Sequence, residues 1–446
     1  VRDRVVWAAT IAYAALFTAL GALRYLVHRN LVDFGIFAQT ASSGVAFRNA
    51  IEGSHWAFHF SPILFVASAL LGIWRSPFVL IALQSLACAL VIPPICGIVE
   101  RRHGRTAVRL TALVLVLYPA TAGLAFTDFH ENAFAPAAIA WMFWAFEGGR
   151  LYLTLLFAAL ALSVKEDQAV FLAIAGAAGA WRYRGTSHGR VAVVIGSVAV
   201  TVACWYFLRL QPHAAVLPGW RPERFYAWTA SDAAALFPGG ILARLGFIVL
   251  AFGPLLFLPF RSRAMWLAAA PLAEVLLSRM PTTFTMGTHY AGAWLGYALF
   301  AFALAAGRLP EPRAELLLRW CVAPCALVLL VANPLHPGLN LRLPQPRDAA
   351  LDRAIAWLPA DAAVATQEEA YGHLALTDPN ATLLPETPDR SIDACYVLVD
   401  SDWPASPRLV EYGKALNAEI RAGRYVAVFR DAGAAVYRLA SCPPSK

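Results

Sequence analysis

Charge is what this chain has least of. Only 14% of its 446 residues are Asp, Glu, Lys or Arg, where an ordinary soluble domain carries roughly 25%. Hydrophobic residues make up 59%, and spans of about 20 apolar residues, long enough to cross a hydrocarbon core, recur along the chain. A soluble globule of this composition would need several helices buried on every side, so a soluble protein is excluded. Negative charge is scarcer than positive, 28 residues against 36. The net charge of +8 gives no reason to invoke nucleic acid, because the excess is local: residues 1–332 hold 25 basic and 14 acidic residues, and residues 333–446 hold 11 and 14. Cysteine is also scarce. Cys88, Cys96, Cys204, Cys321 and Cys325 fall in apolar spans, where a thiol is a small hydrophobe. Cys395 and Cys442 lie in the tail and can pair if it faces an oxidising compartment. The first residues lack a small-residue cleavage site, so 5–24 reads as a retained span. There is no internal repeat or low-complexity tract, and the tail has neither a G-x-G-x-x-G nor a Walker signature.

What is present is a separation of charge by side. Basic residues fill short loops: Arg101, Arg102 and Arg105; Arg182, Arg184 and Arg190; Arg261 and Arg263; Arg308, Arg313 and Arg319. Putting those loops in the cytoplasm, as the Lys/Arg bias requires, gives about 11 spans with the N-terminus inside and the C-terminus outside. They are about 5–24, 78–98, 106–125, 132–147, 151–164, 168–180, 191–209, 241–259, 264–278, 291–307 and 319–332. The apolar stretch 60–74 is too short to span and reads as an outer juxtamembrane helix. From about residue 338 the pattern changes. Helical spacing at 351–358 and 408–422 alternates with buried strands at 363–366 and 394–399 and a hairpin across 430–433, which describes a small α/β domain. The expected architecture is a polytopic α-helical membrane protein, residues 1–337, with a small C-terminal extracytoplasmic α/β domain, residues 338–446.

On this topology the residues equipped for chemistry collect on the outer side. Asp33 follows the first span and serves either as a local cap or as a carboxylate base, since an acid at the bilayer edge is costly unless solvated, paired or useful. His59 precedes Ser61-Pro62, a helix start whose amides suit an anion; its plain role is a local hydrogen bond. Asp128, His130 and Glu131 offer oxygen and nitrogen ligands for a divalent cation, Mg²⁺, Mn²⁺ or Zn²⁺, although they do not match H-E-x-x-H. Asp128 and His130 flank Phe129 as in an extended approach to a helix near Glu131, where an acid also suits the helix dipole. Lys165 can neutralise a phosphate, with Glu166 and Asp167 holding its ammonium, a metal or a sugar hydroxyl; a structural ion network is the alternative. Arg279, His289 and Tyr290 supply a further anion contact.

In these motifs, Asp33-Phe34-Gly35-Ile36, His59-Phe60-Ser61-Pro62, Asp128-Phe129-His130-Glu131, Lys165-Glu166-Asp167 and His289-Tyr290, the chain resembles the DUF2079 family of multi-pass prokaryotic membrane proteins. That family is similar in turn to the GT-C glycosyltransferases, which carry an acid in the first outer loop and an outer juxtamembrane helix opened by a His-Pro motif. Here Gly35 follows Phe34, so the common Asp-Glu doublet is absent. The resemblance implies a GT-C-like fold in a bacterial inner membrane and a polyprenyl-phosphate-linked sugar donor. It also implies a glycan, lipid or protein acceptor reached from outside, and inversion at the sugar carbon with Asp33 as base. A lipid or solute transporter and an envelope scaffold are the competing expectations.

Overall fold

The structure is a computed structural model that describes residues 2–213, 223–226, 228–331, 342–360, 362–384, 392, 394–400 and 409–443. The expected boundary at 337/338 lies outside the described residues. The chain forms two compact units. One comprises Val1–Ala19, Trp56–Leu64 and Ile81–His336, and the other Leu20–His55, Phe65–Leu80 and Pro337–Lys446.

The chain is mostly helical. Among the described residues five helices are long and apolar enough to cross a membrane: Arg4–Leu26, Pro77–Glu100, Ser187–His213, Ala291–Arg308 and Glu311–Val331. A sixth is added if Arg105–Leu117 and Pro119–Phe126 are one span bent by 47°. Pro119 explains the bend. It holds Tyr118 out of the helical region, at φ −70° and ψ 119°, because a residue before proline is pushed to extended backbone. The other expected spans are shorter helices: Ala135–Glu147, Leu151–Leu162, Glu166–Arg182, Ile241–Phe252 and Ala269–Leu277. The 13 residues of Ala135–Glu147 reach about 20 Å at 1.5 Å per residue. The outer helix expected from residue 60 begins at Leu64 and ends at Ile73, because Ser61 and Pro62 form a turn in which the Leu64 amide donates to the Ser61 carbonyl at 3.0 Å.

In the first unit three helices share one polarity. Ala135–Glu147 follows the Asp128–Glu131 motif, Glu166–Arg182 begins in the Lys165–Asp167 motif, and Ala291–Arg308 follows His289 and Tyr290. Two of them end on arginine, and Gly148-Gly149-Arg150 follows the third. Ala291–Arg308 lies tight against the first motif: a Cβ on Gly292 would sit 2.3 Å from the Asn132 carbonyl oxygen, and one on Gly296 would sit 2.8 Å from Ile139 Cβ. Helices Glu166–Arg182 and Ser187–Trp205 approach through Gly176 and Gly196, where a Cβ on Gly176 would lie 2.5 Å from the Gly196 Cα. Small residues allow this because lipid gives helices no hydrophobic reason to associate, and close packing has to supply it.

The second unit holds two sheets. Strands β1 (Arg48–Asn49) and β2 (Gly53–Ser54) form a small antiparallel pair. Strands β3 (Val364–Thr366), β4 (Thr382–Leu383), β5 (Tyr396–Asp400), β6 (Tyr425–Asp431) and β7 (Ala434–Leu439) form a five-stranded sheet in the order β4-β3-β5-β7-β6. It is parallel across β4, β3 and β5 and antiparallel from β5 onward. The β6–β7 hairpin turns through Ala432 at φ 40° and Gly433 at φ 94°, the positive-φ pair that a tight hairpin requires. Val397, Leu416 and Tyr425 anchor the core beneath it. Cys395 and Cys442 form a disulfide. Helix Val32–Ser42 packs on helix Glu368–Leu374 within this unit: Gly35 faces the Tyr371 ring, whose hydroxyl donates to Gln39 Oε1 at 2.8 Å.

Candidate functional site

Residues far apart in sequence meet at the end of the first unit where its three like-directed helices begin. Lys165, at φ −163° and ψ 156°, ends the preceding turn in extended backbone, and Glu166 and Asp167 open the next helix, where the helix dipole favours acids. Glu166 reaches back to the segment before the outer helix. Its Oε1 lies 2.8 Å from His59 Nδ1, and its Oε2 accepts the Phe60 amide at 3.0 Å. Lys165 Nζ lies 3.9 Å from Glu131 Oε1, and Glu131 Oε2 lies 2.9 Å from His130 Nδ1. The His130 ring stacks on His289 at 3.8 Å between centroids, and His289 lies over Tyr290 at 4.1 Å. His59, Glu166, Lys165, Glu131, His130, His289 and Tyr290 thus form one continuous polar chain.

The local backbone explains how His130 and Glu131 are aimed. His130 is extended, at φ −149° and ψ 141°, and a 3₁₀ turn, Glu131–Phe134, follows, as the alternation around Phe129 predicts. The Asn132 amide donates to His130 Nδ1 at 3.3 Å. Glu131 is wholly buried and, among the described residues, neither carboxylate oxygen has a hydrogen-bond partner. Asn132 Oδ1, Asp167 Oδ1, Gln168 Nε2 and Trp294 Nε1 are likewise buried without partners. Each such group costs about 1–3 kcal/mol, so their number marks a place shaped for a polar occupant.

The electrostatics centre on Lys165. Its Nζ makes no hydrogen bond among the described residues. Burial works against its charge, but Glu131, Asp167, Glu166 and Glu274 outweigh burial and hold its pKa above that of a free lysine. Burial, opposed by Lys165 and reinforced by Glu166 and Glu131, pushes the Asp167 carboxyl up to about 7. Glu166 is raised by burial too. All three precede the apolar stretch 168–180.

Asp128 is buried, but among the described residues the ligand atoms of Asp128, His130 and Glu131 do not converge. Glu131 faces Lys165 while His130 faces His289, so the trio does not fit Mg²⁺, Mn²⁺ or Zn²⁺. Arg279 pairs with Asp232 at 2.8 Å. Asp33 lies in the other unit, in the first turn of helix Val32–Ser42. That unit holds a cluster the sequence did not reveal, His28, Asp352 and His373, with one ligand atom of each within 4.8 Å of the others. Two more contributors had been counted as parts of apolar spans. Gln84 accepts the His130 amide at 2.8 Å, and Glu274 lies close enough to act on Lys165 and Asp167. A lone carboxylate within a span is itself the signal that finds Glu274.

Residues 25–216 match the family described as "Predicted membrane protein (DUF2079)". No curated protein matches the chain. The fold is similar to that of ArnT from Cupriavidus metallidurans in two crystal structures. With ArnT bound to undecaprenyl phosphate the TM-score is 0.55 at 13% identity, covering 97% of this chain and 99% of that one. With the apo state it is 0.52 at 14% identity, covering 96% and 98%. At this identity the likeness is one of fold.

Proposed function

We propose that the chain is an inverting glycosyltransferase, moving a sugar from a polyprenyl-phosphate donor to an acceptor hydroxyl outside a bacterial inner membrane. Lys165 carries this reading: a buried ammonium, kept positive by surrounding carboxylates, whose N–H donors make no hydrogen bond among the described residues. A lipid-linked phosphate is an anion suited to such a group, and the undecaprenyl phosphate bound to ArnT supports the donor class. Charge grows on the phosphate as the glycosidic bond breaks, so fixed cations and oriented donors lower the barrier most. Lys165 supplies the fixed charge, with His59 and His289 as further donors.

In the step itself the acceptor oxygen attacks the sugar's anomeric carbon from the side opposite the phosphate. The carbon–oxygen bond to phosphate breaks and its electron pair leaves with the phosphate. The acceptor's proton passes to the Asp33 carboxylate, and a single displacement inverts the centre. The acceptor is a glycan, a lipid or a protein. The topology belonging to this reading has 11 crossings, a cytoplasmic N-terminus and an extracytoplasmic tail. The Cys395–Cys442 bridge supports that placement, since disulfides persist in oxidising compartments.

The test is incubation of the purified full chain with labelled polyprenyl-phosphate sugars and envelope extracts. Sugar transfer is expected, with loss in Asp33→Asn. Unchanged transfer in that variant rejects the base, and substrate movement across proteoliposomes without glycosylated product makes the protein a transporter.

A further inference from the structure

The first unit carries a second polar feature, at the opposite end of the same helices. Helix Glu166–Arg182 has 17 residues, which separates Glu166 from Arg182 by about 24 Å. Helix Ala291–Arg308 likewise begins beside Tyr290 and ends at Arg308. Between these far ends lies a cavity of about 670 Å³ lined by Arg102, Arg182, Arg263 and Arg308. Four guanidinium groups meet a single carboxylate there, Glu147. Among the described residues none of the four arginines has a carboxylate within ion-pair distance, and Arg182 lies over the Tyr183 ring at 5.3 Å. Below the arginines the walls are apolar, formed by Phe143, Leu172, Phe300 and Leu304 among others. The volume is that of a small-ligand pocket.

The surroundings place the cavity mouth at a membrane interface. Trp181 is 78% exposed beside Arg182, and Trp266 is 79% exposed three residues from Arg263. Exposed tryptophans beside arginines are typical of headgroup depth. Val170 and Ile174 on one bordering helix, and Val193, Val194 and Val198 on the next, are also exposed, as lipid-facing residues are. Charge above and hydrocarbon below fit an amphiphile, and basic pockets between membrane helices on the Lys/Arg-rich side bind anionic headgroups.

We propose that this cavity binds an anionic phospholipid of the leaflet on the basic side, with its phosphate among Arg102, Arg182, Arg263 and Arg308 and an acyl chain along the Phe143–Leu304 wall. The site is separate from the Lys165 chain and does not depend on the reading of that chain as a transferase.

The full chain in detergent, examined by native mass spectrometry with added phosphatidylglycerol or phosphatidylcholine, provides the test. Preferential retention of phosphatidylglycerol is expected, undiminished by inorganic phosphate. Arg182→Gln/Arg263→Gln should weaken it roughly 30-fold, the effect of two charges at a membrane surface. Ala175→Phe, which fills the cavity but leaves every arginine, should also weaken it. Arg313→Gln, a basic residue that does not line the cavity, should not. Equal retention of the two lipids overturns the proposal, as does full retention by Ala175→Phe, which would reduce the effect to a surface patch. Displacement by inorganic phosphate would make this a site for free anions instead. Each variant must elute as a single species, and Ala175→Leu replaces Ala175→Phe if the larger side chain unfolds the protein.

Discussion

Lys165 and its carboxylates set the chemistry at the scale of single residues. An ammonium facing Glu131, Glu166, Asp167 and Glu274 stays charged, but the same acids compete with any incoming anion. Asp167 tunes that competition. With its carboxyl near 7, it is neutral below that pH and negative above it, so a lipid phosphate should bind more weakly as pH rises through 7. Binding isotherms across that range check this, and Asp167→Asn should flatten the step. A profile unchanged by the substitution would remove Asp167 from the site. Much of this was legible in the sequence as a set of polar residues at one depth, although nothing in it predicts that His130 stacks on His289, 159 positions later. Gln84 and Glu274 were missed because each is one polar residue in an apolar run, and the overall hydropathy conceals it.

Elements position these residues through close backbone approaches, and glycine permits them. In the second unit, helix Val32–Ser42 meets helix Glu368–Leu374 where a Cβ on Gly35 would lie 2.3 Å from the Tyr371 ring. Gly35→Ala should therefore cost about 1–3 kcal/mol, read as a lower midpoint for thermal unfolding. Gly72→Ala, at a position with open space around the would-be Cβ, should be neutral or slightly stabilising, because alanine favours a helix. Equal midpoints for the two variants would contradict the packing. The hairpin across 430–433 and the strands near 364 and 396 were readable from alternation and turn residues. Strand β4 and helix Glu368–Leu374 were not, because two and seven residues carry too little periodicity to stand out from a loop.

The molecule as a whole is organised by polarity along its helices. The helices that start at the Lys165 chain finish at or beside arginines, so in the first unit the separation of charge read from the sequence is a separation of ends. Length is where that reading and the structure part. Among the described residues five or six helices are long and apolar enough to cross a membrane, and the shorter ones match expected spans that were too brief to cross a bilayer unaided. The central claim is that the Lys165 end receives a lipid-linked phosphate, and equilibrium binding of polyprenyl phosphate to the full chain tests it most directly. Wild type should bind, and Lys165→Met should lose about 3 kcal/mol, roughly 100-fold in affinity. Lys165→Met/Glu131→Gln, which also removes the carboxylate left behind, should stay folded and equally weak. Unchanged affinity in both folded variants would contradict the account.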